Sequence, residues 1–233
     1  MEQVPSNTPV MEPKSGPAGW LQVWIKAVTK PSEQTFIEIS ESPEAKTQTA
    51  LIWSAIAGFI GGIGVGIGSA LRILIQSGGS TNGVGTLAMY ICGFPIFMAI
   101  LSPIGLAFSA ALFQWVAKMF GGAGSFEKLI YSLAAISVPI TIVSGAINLL
   151  SGVPIVGICV SLFSFAVSLY TIYLNITAVK AVNRFGWGQA AGSVLIPAFV
   201  LGFFCGCLVF GGMMILGPVI GDAFGQINQG LTP

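Results

Sequence analysis

The sequence contains no histidine and very little charge. Lys and Arg total 9 and Asp and Glu total 8, so charged residues make up 7% of the 233-residue chain, against about 25% in soluble globular proteins. Without histidine, a Ser-His-Asp triad and the common zinc sites are excluded. Glu127 and Asp222 are the only carboxylates beyond residue 46, and both are predicted near span ends, which excludes an intramembrane pair of catalytic aspartates. We therefore expect no enzymatic activity and no metal or cofactor.

Runs of basic residues are also absent, and the formal net charge is +1. Because nucleic-acid-binding proteins carry a basic patch, nucleic acid is not an expected partner. The chain has four cysteines, all within apolar segments: Cys92, Cys159, Cys205 and Cys207. The last two are two residues apart and point to different faces of a helix, which makes them a poor disulfide or chelating pair. We expect all four to be small apolar side chains buried in the protein.

Apolar residues dominate instead, at 54% of the chain with a mean hydropathy of +0.88. Long runs of them predict spans at about residues 49–75, 86–117, 125–150, 154–179 and 190–220. The fold class predicted is an all-α integral membrane protein with five transmembrane helices, preceded by a short amphipathic interfacial helix region. As a straight helix the second run would measure about 48 Å against a hydrocarbon core of about 30 Å. We therefore expect it to tilt, to project into water, or to kink at Pro95 or Pro103.

The chain is divided by composition into four parts. Residues 1–18 form a predicted disordered polar tail, 19–48 an amphipathic cytoplasmic head, 49–220 the five-span membrane domain and 221–233 a C-terminal tail. Pro31 is expected in the first turn of a short helix in the head. Ser42 is expected to be the N-cap of the helix that leads into the first span.

The head contains apolar residues at helical spacing, which form one face: Trp20, Leu21, Trp24, Ile25 and Val28. In one interpretation this helix lies in the membrane surface, with Trp20 and Trp24 at headgroup depth and Lys26 and Lys30 toward anionic lipid. In the other, it docks onto the protein's own membrane domain. The sequence leaves both interpretations open, and these four residues are the candidate membrane-surface or partner-binding site.

Small residues recur every fourth position along the first predicted span: Ser54, Gly58, Gly62, Gly66 and Ala70. Such a stripe lets another helix backbone approach closely, so we predict a helix-packing face here rather than a pore or ligand groove. Asn148 and Asn175 are the uncharged polar residues most relevant to function inside the membrane domain. We expect their amides to hydrogen-bond neighbouring helices rather than a substrate.

Several aromatic, glycine and proline positions resemble the Yip family of Rab-interacting multi-span membrane proteins, in its prokaryotic form. They are Trp20, Trp24, Lys30-Pro31 and Phe36, the F-G-G-A-G-S-F run from Phe120, Pro139, P-I-V-G from Pro154, and L-I-P ending at Pro197. The resemblance covers about residues 20–217 and implies five spans, a cytosolic head and a non-enzymatic role. Eukaryotic members bind prenylated Rab GTPases and carry an acidic D-L-Y-G-P motif before the membrane domain. This chain lacks that motif, so Rab binding is not carried over to it.

Three functional hypotheses follow for the chain. In the first, a membrane-organising or trafficking-like protein uses its head to recruit a membrane-protein partner or to contact the lipid bilayer, and its bundle forms homo- or hetero-oligomers. In the second, it is a transporter of small molecules or lipids, or a scramblase-like protein, with prolines as helix breaks beside a polar path. In the third, it is a membrane enzyme, for which no constellation of residues exists. The first hypothesis is preferred.

Orientation follows from the distribution of basic residues. With five spans, eight of the nine lie on the side of the head: Lys14, Lys26, Lys30, Lys46, Lys118, Lys128, Lys180 and Arg184. Arg72 alone is at the edge of the other side. Because cytoplasmic loops retain basic residues, the N-terminus is predicted to be cytoplasmic and the C-terminus external or lumenal, with a prokaryotic cytoplasmic membrane as the expected location.

Reporter fusions along the chain test this topology. Reporters fused after Gly122 and Gly186 should be cytoplasmic, whereas those after Ser80, Gly152 and Thr232 should be external, because the basic loops are retained inside. A cytoplasmic signal after Thr232 would contradict both the orientation and the number of spans.

Overall fold

The computed structural model describes residues 16–76, 84–152 and 154–207. In chain order the helices are α1 Pro17–Thr29, α2 Glu33–Ser40, α3 Thr47–Gln76, α4 Val84–Ala88, a π-helical turn Met89–Gly93, α5 Phe94–Met119, α6 Phe126–Asn148, a 3-10 turn Leu149–Gly152, α7 Pro154–Asn183 and α8 Trp187–Cys207. Within these residues there is no strand.

Five of these helices are long and apolar enough to cross a membrane: α3, the continuous stretch Met89–Met119, α6, α7 and α8. The predicted fold class, an all-α membrane protein with five transmembrane helices, is therefore confirmed. Residues 1–15, 77–83, 153 and 208–233 lie outside the described residues. The predicted C-terminal tail and the end of the fifth run fall there, as does most of the predicted tail 1–18, although α1 begins within that range at Pro17.

Serine residues cap α2 and α6, and the two helix starts predicted in the head need correction. Ser125 caps α6 as its hydroxyl oxygen accepts a hydrogen bond from the Lys128 amide at 3.3 Å. Ser32 caps α2 in the same way, at 3.1 Å from the Thr35 amide, so this helix begins after Pro31 rather than with it. The Ser42 hydroxyl accepts instead from the Glu44 amide at 3.3 Å. That local turn uses up its capping oxygen, and α3 starts only at Thr47.

The irregularity expected in the second span lies at the Met89–Gly93 π-helical turn. Pro95 follows directly, and a proline ring clashes with the carbonyl group four residues before it. A widened turn at that place relieves the clash. Pro103 lies inside α5, which nevertheless runs on to Met119.

Helix α3 is the centre of the bundle and packs against α5 with its glycine stripe. A Cβ atom built on Gly58 would lie 2.4 Å from the Met98 carbonyl oxygen, and one on Gly66 would lie 2.1 Å from that of Tyr90. Both distances are shorter than any Cβ contact allows, so the two backbones touch. At Gly62 the nearest atom is the Pro95 Cα, 2.9 Å away. The stripe ends in Ala70, which is buried.

A second glycine face on α3 packs against α6. A Cβ atom on Gly64 would lie 2.0 Å from the Gly145 carbonyl oxygen, and one on Gly61 would lie 2.8 Å from the Thr141 methyl group. Glycine stands on both helices at this contact, Gly64 on α3 and Gly145 on α6, so both backbones lack a side chain where they cross. Two sides of one helix thus fix the positions of α5 and α6.

The four cysteines do not lie in the core. All four side chains are exposed on the outer surface of the helices: Cys92, Cys159, Cys205 and Cys207. The expectation that they are buried in the protein is wrong, because an apolar span can satisfy an apolar side chain with lipid as well as with protein.

Replacing Gly64 with alanine tests the close α3–α6 contact. We expect the variant to lose about 2 kcal/mol of unfolding free energy, because overpacking outweighs the gain in helix propensity. Thermal unfolding in detergent measures the loss. Gly105→Ala is the matched control: a Cβ atom there meets nothing within 4 Å, and this variant should unfold at or above the wild-type temperature. A Gly64→Ala protein as stable as the wild type would contradict the close contact.

Candidate functional site

The head, helices α1 and α2, is docked on the membrane bundle. Helix α1 packs on α6, and α2 packs on α6 and α7. The inner face of α1 has residues at positions typical of a helical stripe: Trp20, Val23, Trp24, Ala27 and Val28. On α2, Phe36 and Ile39 are buried. Head and bundle therefore share one continuous core.

An aromatic cluster joins the head to the bundle. The Trp20 and Trp24 rings lie edge-on to Trp53 of α3, with centroids 5.8 and 5.4 Å apart. Trp53 in turn contacts Tyr131 of α6 at 4.8 Å. Trp53 and Tyr131 are fully buried. Edge-on aromatic pairs add stabilisation beyond the area that they bury, so this cluster is the main apolar attachment of α1.

Three ion pairs anchor α2 on its polar side. Glu33 pairs with Lys180 of α7, Glu38 with Lys26 of α1, and Glu41 with Arg184, where the two atoms are 2.8 Å apart. Exposed pairs contribute little individually, but these three connect α2 to α1, to α7 and to the residue after α7. They therefore orient α2 more than they stabilise it.

The ion pair with Lys26 changes the pKa of the Glu38 carboxyl group. A hydrogen bond from Lys26 lowers the pKa of Glu38 below its ordinary value. Because the folded-state pKa is lowered, the pair stabilises the docked head at neutral pH, and this contribution is lost as the pH falls through that pKa. Both side chains are about half exposed, so solvent screening keeps the contribution small.

Helix α7 supports the head with two further contacts. The Tyr170 hydroxyl donates a hydrogen bond of 2.6 Å to the Val28 carbonyl oxygen at the end of α1. The Lys180 ammonium lies 5.0 Å from the ring centroid of Trp187, the first residue of α8, within the range of a cation–π interaction. Lys180 thus connects the head to both of the last two helices.

The outward face of α1 differs from the sequence-based expectation. The sequence predicted that Leu21 and Ile25 share one face of α1 with the two tryptophans. In the structure these two side chains point away from the bundle and are 54% and 52% exposed. The inner stripe is completed instead by Val23 and Ala27. Lys26 and Lys30 are exposed beside the outward pair. The surface formed by Leu21, Ile25 and Lys30, together with Lys26, is named the head surface below.

A buried amide pair fixes the glycine-rich loop between α5 and α6. The Gln114 side-chain nitrogen donates to the Gly124 carbonyl oxygen at 2.8 Å and to the Asn183 side-chain oxygen at 3.0 Å. The Gly124 amide donates to the same Asn183 oxygen at 3.2 Å. A Cβ atom on Gly122 would lie 2.5 Å from that oxygen, and Gly121 has φ +84°. The F-G-G-A-G-S sequence therefore holds the ends of α5 and α7 together.

A cavity of about 230 Å³ lies between α5, α6 and α7, with α3 at its base. Its lining is rich in hydroxyl groups and has one amide: Ser54, Ser102, Ser109, Ser137, Thr171 and Asn175. Apolar walls come from Leu106, Phe113 and Leu133. Ser54, predicted only as a packing residue, hydrogen-bonds Ser102 at 2.7 Å and also faces this cavity.

The two predicted intramembrane asparagines differ in position. Asn148 ends α6 at the far end of the bundle, and its side-chain nitrogen donates to the Ser144 carbonyl oxygen at 2.8 Å. Asn175 lines the cavity. No hydrogen bond is made by its amide among the residues that the structure describes. Asn175 therefore lies in a site where its polar groups are open to a ligand.

Sequence reasoning missed several residues that build these features. Trp53 and Tyr131 were not assigned to the head, and Gln114 and Asn183 were not singled out. Their partners are far away in the chain, so spacing could not reveal them. Acidic residues gave one usable signal, because Glu33 and Glu38 lie on α2 and Glu41 directly follows it, while this short helix has no basic residue of its own.

These features describe a multi-span membrane protein with a docked head. Within the described residues no cluster of His, Cys, Asp or Glu could hold a metal ion. The family model for the Yip1 domain matches residues 25–209, well over half of the chain. The protein therefore belongs to the Yip family, which confirms the family resemblance seen in the sequence, whereas its prokaryotic form stays a prediction. Comparisons with curated proteins and with solved structures gave no match.

Truncating Trp24 tests the docking of the head. Trp24→Ala should release α1 from Trp53 at a cost of about 3–5 kcal/mol in local stability, and should speed tryptic cleavage after Lys26 in detergent-purified protein. Leu21→Ala is the matched control, since Leu21 points outward and its loss should leave cleavage unchanged. Equal cleavage rates in the wild type and in Trp24→Ala would show that α1 is not held by the cluster.

Proposed function

We propose that this Yip-family protein is a non-enzymatic membrane-organising protein, whose head surface recruits a membrane-protein partner. The observation that carries the proposal is the docked head itself. Helix α1, held by buried aromatic rings and by the Lys26–Glu38 ion pair, presents Leu21 and Ile25 outward in a fixed position. A preorganised surface loses little conformational freedom on binding, which favours affinity.

The composition of the head surface supports a partner at headgroup depth. Two exposed aliphatic side chains of α1 share this surface with Lys26, which pairs with Glu38, and with Lys30, which directly follows the helix. Such a surface suits the boundary between membrane and water, where apolar groups and lysines are both accommodated. A membrane protein with an apolar patch and acidic residues near the headgroups complements it. A second copy of this chain and the lipid bilayer itself are the other possible occupants.

The distribution of charge supports a cytoplasmic position for the head. The head lies at one end of the bundle, which is named the head end. This end comprises the starts of α3, α6 and α8 and the ends of α5 and α7. Lys46, Lys118, Lys128, Lys180 and Arg184 all belong to it, whereas Arg72 lies toward the other end of α3. By the positive-inside rule we place the head end in the cytoplasm, in a prokaryotic cytoplasmic membrane.

Site-specific photocrosslinking tests recruitment. A photoreactive amino acid at position 21, in full-length protein in native membranes, should give a discrete protein adduct, because this position contacts the partner. The same amino acid at position 143 is the control, since Val143 is also exposed on the bundle but is remote from the head. The position-21 adduct should disappear when Trp24→Ala releases the helix.

The adduct's mass identifies the occupant. An adduct heavier by one unrelated protein supports recruitment, and one heavier by a second copy supports homo-oligomerisation through the head. Adducts with lipid alone, or the same adducts from positions 21 and 143, would overturn the proposed role.

A further inference from the structure

We propose that the cavity between α5, α6 and α7 binds the glycerol and ester groups of a neutral glycerolipid of the diacylglycerol class. The proposal concerns a site inside the membrane domain and does not depend on the role of the head surface.

Hydrogen-bonding capacity in the cavity is only partly used within the protein. Thr171 donates to the Val167 carbonyl oxygen at 2.8 Å, and Ser54 and Ser102 bond each other. The Asn175 amide and the Ser109 hydroxyl make no hydrogen bond with the residues that the structure describes. A polar group at this depth without a partner is costly. The Asn175 side-chain nitrogen can donate to an ester carbonyl, and its oxygen can accept from a glycerol hydroxyl.

Charge selects against phospholipids. No Lys, Arg, Asp or Glu is present among the residues that line the cavity. Lys180, the nearest charged residue along α7, is five positions from Asn175, or about 8 Å along the helix axis. Its ammonium is already paired with Glu33. A phosphate group would therefore enter an apolar depth without a counter-charge, which is strongly unfavourable, whereas hydroxyl and ester groups would not.

The cavity opens toward the lipid beside Gly105. This residue lines the cavity, is exposed, and has no atom within 4 Å of the place where a Cβ would be. On the same stretch of α5, Leu101, Ile104 and Phe108 are exposed apolar side chains. A lipid could place its polar groups inward past Gly105 while its acyl chains stay against this apolar surface.

The volume agrees with a headgroup rather than a whole lipid. Sites for drug-sized molecules measure about 300–1,000 Å³, and the cavity, at about 230 Å³, is smaller. One water molecule occupies about 30 Å³ in the liquid, so a few waters would fill the space if no lipid bound. Water alone is thus the competing occupant that an experiment has to exclude.

Photolabelling in proteoliposomes tests the proposal. The probe is a diacylglycerol with a photoreactive group in one acyl chain close to the ester, offered to the full-length protein. Gly105→Leu should fill the cavity without a clash at its Cβ and reduce labelling by about fivefold or more, equivalent to about 1 kcal/mol of binding free energy. Gly202→Leu is the matched control, since a Cβ there also meets nothing within 4 Å and Gly202 does not line the cavity.

A second variant and a competition arm complete the test. Asn175→Leu keeps the branching and the number of heavy atoms of the side chain but removes the amide, and should reduce labelling as well. Unlabelled diacylglycerol should compete with the probe, whereas phosphatidylcholine should not. Detergent unfolding temperatures check that each variant is folded, and if Gly105→Leu is not, Asn175→Leu and the competition decide. Undiminished labelling of the folded cavity variants, or equal competition by phosphatidylcholine, would overturn the proposal in favour of a water-filled cavity with ordinary lipid contact.

Discussion

Direct backbone contact between α3 and its two neighbours is the constraint on which the rest of the structure depends. Inside a bilayer, lipid tails solvate apolar side chains as well as protein does, so helices associate through close packing and polar contacts. Gly58 brings the α5 backbone against α3, Gly66 does so for the π-helical turn that precedes α5, and Gly64 with Gly145 does the same for α6. Once these helices are fixed, α7 can pack on α6. The cavity and the docking surface of the head both arise from that arrangement.

The head is attached by a mixture of forces that suits its position at the edge of the membrane. Ring packing around Trp53 is independent of salt and pH, whereas the pairs made by Glu33, Glu38 and Glu41 are partly exposed and screened. The apolar contacts therefore determine whether α1 stays docked, and the ion pairs determine how α2 is oriented. At the same end of the bundle, the amide pair of Gln114 and Asn183 holds the α5–α6 loop and the end of α7 together.

The fold could be predicted further from the sequence than the sites could. Hydropathy and four-residue spacing are local properties, so five spans and the α3 stripe follow from them. Which face of α1 packs on the bundle could not be predicted. Apolar Leu21 and Ile25 flank the tryptophan stripe on one side, and apolar Val23 and Ala27 flank it on the other. Pairings such as Glu33 with Lys180 or Gln114 with Asn183 join residues 147 and 69 positions apart. Only the packed structure brings such distant residues together.

The place of α3 in the bundle also sets an order of assembly during synthesis. Domains form from the N-terminus as the chain emerges, and α3, the central helix, is made before the other four described spans. The two helices that pack on its glycine faces, α5 and α6, follow next. The three-helix centre can therefore assemble from one contiguous stretch of chain. The head, in contrast, cannot complete its contacts as soon as it is synthesised. Although α1 and α2 are translated before the five described spans, Glu33 and Val28 find their partners on α7, so these two helices complete their docking only after α7 has been synthesised.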